Sequence, residues 1–345
     1  MRAAVIEEFG KLTIREAPDP KLRSGHDVIV RVRAAGVCRT DVETLHGGLV
    51  SAYGMPEFPY VPGHETAGVI EAVGAEVGSL RVGQPVVLHP LSTCGYCAGC
   101  RRGADMYCAN SMFAGVDAKT WGGWAELVRV GERAVVPVAD GTDDEGLAAL
   151  APYSDAGLTA FHAVERIRDR LVPGSVVVVI GSGGVGHFAV QLLLAGSRAT
   201  VLVADTSPDR LRTAEGFGAT ALPAGGADAA VEAVRSRTDG GADVVMDFAG
   251  APGSAAAGVA MLRKGGVLSL VGAGPDLTVN TLDIVVRELS IVSNIVGTHS
   301  ELSRLVTMHG APLESPHTVF PLDQAEAAIA DLLAGAIEGR AVLVP

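Results

Sequence analysis

The chain is short of positive charge. Against 39 Asp and Glu it carries 27 Lys and Arg, a formal net charge of −12. A surface of that sign offers little to nucleic acid or to an anionic membrane, both of which reward clustered Lys and Arg. Disorder is excluded from the other side. Of 345 residues 48% are apolar, and mean hydropathy is +0.33, enough to build cores. The opening MRAAVIEEFG lacks the apolar stretch and cleavage site of a secretory signal, so export is not expected and a cytoplasmic setting is. Cysteine is sparse. Five residues make an odd count, and in a reducing compartment clustered thiols point to metal before disulfide. Only one apolar run suggests a membrane span, VVVVIGSGGVGHFAVQLLLA at 176–195. Four glycines at 181–186 break it into a buried strand, a tight turn and a helix. There is no internal repeat and no low-complexity tail.

The length suits two domains. Residues 1–157 hold short alternating or apolar runs broken by Gly and Pro, among them VIVRVRAAGV (28–37), AGVIEAVG (67–74), QPVVLHP (84–90) and AELVRVGERAVVPV (125–138). That spacing indicates an antiparallel, barrel-like β domain. Over 158–294 the text alternates strand and helix, with strands at SVVVVI (175–180), ATVLVAD (199–205), ATALP (219–223), ADVVMDF (242–248), GGVLSLVG (265–272) and ELSIVSN (288–294). Six strands with five crossovers make one Rossmann domain, a doubly wound parallel sheet of the α/β class. One helix is fully punctuated, with Ser207 as N-cap, Pro208 at its first position, and Gly216 and Gly218 closing it. Residues 295–345 return to mixed text and are expected to complete the first domain.

Two motifs carry chemistry on their own. In GSGGVG, Gly181 serves a tight turn after a strand, Gly183 lets a diphosphate approach the backbone, and Gly186 allows close helix–strand packing. Gly184 and Val185 complete the turn, and the helix that follows offers its N–H groups and positive dipole end to phosphate. Asp205 ends the second strand, where a carboxylate accepts from ribose hydroxyls and repels the 2′-phosphate of NADP. NAD is therefore the expected cofactor. Arg210, a turn into the next helix, is counted with the cofactor-binding residues. The second motif is CGYCAGCRRGADMYC, in which Cys94, Cys97, Cys100 and Cys108 have the spacing of a closed four-thiolate zinc site in a lobe at about 90–110. A chance cluster or a redox sensor is the blander reading of the same residues. Cys38 and His64, taken alone, are each more often buried packing residues than ligands.

Taken in order, GVCRTD, PGHE, CGYCAGC…C, GSGGVG and APYSDAGLTAFHA resemble the zinc-dependent medium-chain alcohol dehydrogenases, most of all the bacterial NAD-dependent secondary-alcohol branch. The likeness spans essentially the whole chain. It implies a GroES-like β-rich catalytic domain beside the Rossmann domain, and a catalytic zinc on Cys38, His64 and Asp155. Asp155 stands where many relatives have cysteine, and thiolate, neutral imidazole and carboxylate still sum to −2 against Zn²⁺. By the same resemblance Glu65 sits behind the metal, Asp41 orients His64, and Thr40 takes the proton of the alcohol. Arg39 and Arg340 would face the diphosphate. Glu43 replaces a relay histidine, leaving Glu43, His46 or solvent as the outer end of the proton path. The implied reaction is hydride transfer between an alcohol, secondary by this branch, and NAD, giving a ketone or aldehyde. Polyol or amino-alcohol oxidation is the alternative within the superfamily, and a zinc- or redox-sensing binding protein the alternative outside enzymes. Neither substrate identity nor stereopreference is readable; a homodimer or homotetramer is what the family implies.

Overall fold

The computed structural model describes every residue of the chain except 118 and 309–312. Two compact units result, Met1–Leu158 with Val296–Pro345, and Thr159–Ile295.

The first unit is built on one long strand. Asp27–Val37 is buried along most of its length, because it has neighbours on both edges. The sheet runs His317–Pro321, Arg340–Val344, Asp27–Val37, Glu65–Val73, Pro85–Leu88, Val135–Pro137, and Leu127–Gly131 also pairs with Asp27–Val37. The pairing is antiparallel except between the last two strands of the chain. Register is what matters for function. Gly36 faces Glu65 on one side and Val342 on the other, so the residues after Val37, before Glu65 and at the start of the final strand gather at one end of the sheet. One core, around Ile6, Tyr60, Ile70, Trp124 and Leu343, packs one part of this unit; a second joins Leu147, Leu158, Leu302 and Val342.

The second unit is a six-stranded parallel sheet in the order Thr220–Ala221, Thr200–Ala204, Val176–Ile180, Ala242–Asp247, Leu262–Leu270, Ser290–Ser293. These are the six strands read from the sequence. Their order reverses between Val176–Ile180 and Ala242–Asp247, the switch point at which open α/β sheets hold ligands beyond their carboxyl ends. The run at 176–195 is strand, turn and the helix Gly186–Gly196. Among the described residues no helix is long and apolar enough to cross a membrane. The helix Pro208–Phe217 is capped by Ser207, whose Oγ accepts from Arg210 N at 3.5 Å. It ends on Gly218 at φ 105°, whereas Gly216 lies inside it.

Candidate metal centres and dinucleotide site

Cys38 follows the long strand directly and caps the helix Arg39–His46, whose inner face is Asp41, Val42, Thr44 and Leu45. Asp41 is the organiser. Its Oδ2 accepts from Cys38 N at 2.8 Å, while its Oδ1 accepts from Gly63 N at 3.2 Å and lies 3.1 Å from His64 Nδ1. With Nδ1 committed to that carboxylate, Nε2 is the free ligand atom of the ring. It is buried and makes no hydrogen bond, although Asp155 Oδ2 is 3.5 Å away. Asp155 arrives from the buried turn Ala151–Ser154 and is itself 8% exposed. Glu65, fully buried, closes the group.

Ligand atoms of Cys38, His64, Glu65 and Asp155 all lie within 4.8 Å of one another. Burial works against a charged imidazole, but Asp41, Asp155 and Cys38 outweigh it and hold His64 well above its usual pKa. The pocket's field thus favours a positive charge. A thiolate, an imidazole nitrogen and a carboxylate around a point with no competing hydrogen bond fit a zinc ion, which takes S, N and O donors at about 2.0–2.3 Å.

The four-cysteine group fits equally well. Its sulfurs also lie within 4.8 Å of one another, with Cys97–Cys100 at 3.6 Å and Cys94–Cys108 at 3.5 Å. A tetrahedron with bonds of about 2.3 Å has edges of about 3.8 Å. Cys97 starts the single turn Ala98–Arg101, and Cys94 N and Asn110 N both donate to Cys108 Sγ, at 3.3 and 3.4 Å. Left to themselves the thiols would not ionise together. The backbone N–H of Tyr96 helps bring Cys94 down to about 6, while burial pushes Cys100 up to about 11. A shared cation is what makes four thiolates compatible.

In the second unit the glycines divide by role. Gly181 has φ 86°, and a Cβ there would meet Ala249 at 3.0 Å; a Cβ on Gly186 would run into Gly181 O. Both are needed by the fold itself. At Gly183 an added Cβ meets only the Arg210 guanidinium, with Nη1 at 3.6 Å. Protein packing does not require a glycine there, so the space is available to a ligand's phosphates. Gly184 and Val185 lead into the helix, with Val185 as its N-cap. Asp205 follows the strand Thr200–Ala204, and its carboxylate accepts from Ser182 N at 2.8 Å and Ser207 N at 2.9 Å. Those two bonds fix its orientation beside the turn.

Other expected residues are placed less decisively. Thr40 is half-buried and its carbonyl accepts from Thr44 Oγ1 at 2.7 Å; Arg39, Glu43 and His46 are exposed on the same helix. Arg340 has a partner that the sequence did not disclose. It is 4% exposed and paired through two nitrogens with Glu65, Nε to Oε2 at 2.9 Å and Nη2 to Oε1. The sheet register explains this, since the strands that begin at Glu65 and Arg340 flank the same end of Asp27–Val37. Phe113 was not foreseen. Its ring stands edge-on to His64 with centroids 5.4 Å apart and to Tyr53 at 6.1 Å, giving the metal pocket an aromatic wall. His309 lies outside the described residues.

Residues 24–140 match the family described as alcohol dehydrogenase GroES-like domain, and residues 184–309 the one described as zinc-binding dehydrogenase. An alcohol dehydrogenase of Geobacillus stearothermophilus is 33% identical over 347 residues, covering 99% of both chains. This chain belongs to the zinc-dependent alcohol dehydrogenases. An NAD-dependent alcohol dehydrogenase of Sulfurisphaera tokodaii is 31% identical over 358 residues and covers both chains fully. Among solved structures, an alcohol dehydrogenase from the hyperthermophilic archaeon Aeropyrum pernix superimposes with a TM-score of 0.95 at 37% identity, covering 100% of each chain. The fold class read from the sequence, a GroES-like β-rich domain with a Rossmann domain, is the one these matches show.

Proposed function

We propose that this dehydrogenase oxidises a secondary alcohol to its ketone at the Cys38, His64, Asp155 centre. It is a zinc- and NAD-dependent alcohol oxidoreductase acting on small-molecule alcohols. The observation that carries the residue assignment is the buried convergence of four ligand atoms within 4.8 Å, with His64 Nδ1 on Asp41 and Nε2 without a hydrogen bond. Bound zinc supplies Lewis acidity, the effect that lowers the pKa of bound water to about 7 and that would acidify an alcohol likewise. NAD supplies the hydride acceptor.

The protein's own groups do the rest. Asp41 holds His64 in one tautomer and ties it to the backbone at Cys38. The Glu65–Arg340 pair keeps a second carboxylate close to the pocket with its charge balanced from behind. Thr40, two residues past Cys38, receives the alcohol proton through its hydroxyl and passes it outward on the helix whose exposed side holds Glu43 and His46. Phe113 and Tyr53 offer an apolar wall. Gly183, Arg210 and the helix N-terminus at Gly186 bind the diphosphate, and Asp205 the adenosine ribose.

Working in the cytoplasm is consistent with five free cysteines. A homodimer or homotetramer is supported by the helix Thr281–Arg287, which has no buried residue and exposes Leu282, Val285 and Val286, and by the edge strand that follows it in sequence, which exposes Ile291. A panel of secondary, primary, polyol and amino alcohols, read by NADH absorbance, tests the substrate class. Highest kcat/KM on simple secondary alcohols is expected; highest on a polyol or amino alcohol overturns it.

A further inference from the structure

Ser182 is buried to 5% exposure inside the GSGGVG turn, and its hydroxyl has no hydrogen-bond partner among the described residues. A buried donor left unmade costs free energy, and such groups in native proteins usually await a water, an ion or a ligand. The residue is not loosely held. Its N–H donates to Asp205 Oδ2 at 2.8 Å, which fixes the backbone from which the hydroxyl projects. The Arg210 guanidinium overlooks the same turn, 3.6 Å from where a Cβ on Gly183 would lie, and the helix Gly186–Gly196 begins just beyond. A hydroxyl, a guanidinium and the positive end of a helix all favour an anion.

We propose that Ser182 Oγ donates a hydrogen bond to the cofactor's diphosphate, with Arg210 as the neighbouring charge. The inference rests on the dinucleotide reading above and adds a hydroxyl donor to the glycine backbone and the Arg210 guanidinium. Diphosphate is favoured over ribose on donor chemistry. Asp205 already provides the acceptor that ribose hydroxyls need, whereas phosphate oxygens only accept, and what Ser182 has to give is a proton.

Ser182→Ala removes one buried atom and no hydrogen bond within the protein. NADH affinity, read from the fluorescence of the bound nicotinamide, should fall about tenfold, because a hydrogen bond to a charged group is at stake. The melting temperature of the cofactor-free variant should not fall. Affinity for adenosine, which has no phosphate, should be unchanged. An unchanged NADH affinity overturns the proposal, as does a loss for adenosine as large as for NADH, which would move the contact to the ribose. A lower melting temperature with NADH affinity intact also overturns it, by revealing a partner inside the protein. Failure of the wild-type protein to bind NADH would remove the dinucleotide reading itself.

Discussion

Asp41 shows how much one side chain settles. Its two oxygens reach Cys38 N, Gly63 N and His64 Nδ1, so a single buried carboxylate positions two of the three proposed zinc ligands. Asp41→Asn keeps the size but sets an amide NH2 against one of the N–H groups that both carboxylate oxygens now accept from, and removes the charge beside the imidazole. Partners of this kind are typically worth about 10–100-fold in metal affinity. A loss of that size, read by competition with a chelator, is the expected outcome; unchanged affinity would mean Asp41 serves only the helix cap. Thr40→Ala should depress kcat strongly while NADH affinity holds, since the hydroxyl is used only as the proton moves; equal losses in both would argue for a structural role. Asp205→Ser should narrow the preference for NAD over NADP. Like charges forced together cost several kcal/mol, and each 1.4 kcal/mol is tenfold, so the wild-type preference is expected to be at least about a hundredfold in kcat/KM. Comparable wild-type efficiency with both cofactors would contradict the role given to Asp205.

Between elements the decisive device is strand register. Gly36 faces Glu65 and Val342 together, and so the final strand delivers Arg340 to a carboxylate 275 positions earlier in the chain. Removing one partner of a buried ion pair costs about 3–5 kcal/mol, because the other charge is left uncompensated. Arg340→Met should therefore destabilise the first unit. Both tryptophans, Trp121 and Trp124, belong to that unit, so their fluorescence in urea follows it alone. A variant as stable as the wild type would mean the pair carries no such load. The same register marks where the sequence was legible and where it was not. The four cysteines lie within fifteen residues, and the glycine turn sits between a strand and a helix, so local spacing discloses both. Cys38, His64 and Asp155 are separated by long stretches, and no periodicity links them; resemblance did. The pairing of Arg340 with Glu65 was not foreseen, because a terminal arginine gives no local sign of a buried partner. Phe113 was missed for the same reason, its contact with His64 being tertiary. Ser182 was in plain view, but a serine between glycines reads as filler until its burial is known.

At the scale of the molecule, each unit carries its own chemistry. The first holds both candidate metal centres, and the second holds the glycine turn and its acidic strand end. That division makes losses separable. Cys100→Ala should lower stability or soluble yield, since a closed thiolate site contributes folding energy; turnover lost with stability intact would contradict a structural role for the lobe. Cys38→Ala should abolish hydride transfer while NADH still binds to the second unit. The central claim is that two different zinc sites share one chain, and zinc content per chain tests it most directly. Measured by plasma mass spectrometry on active protein, it should be two for the wild type and one for Cys38→Ala. A single zinc in fully active wild-type enzyme, or two retained in Cys38→Ala, would contradict it.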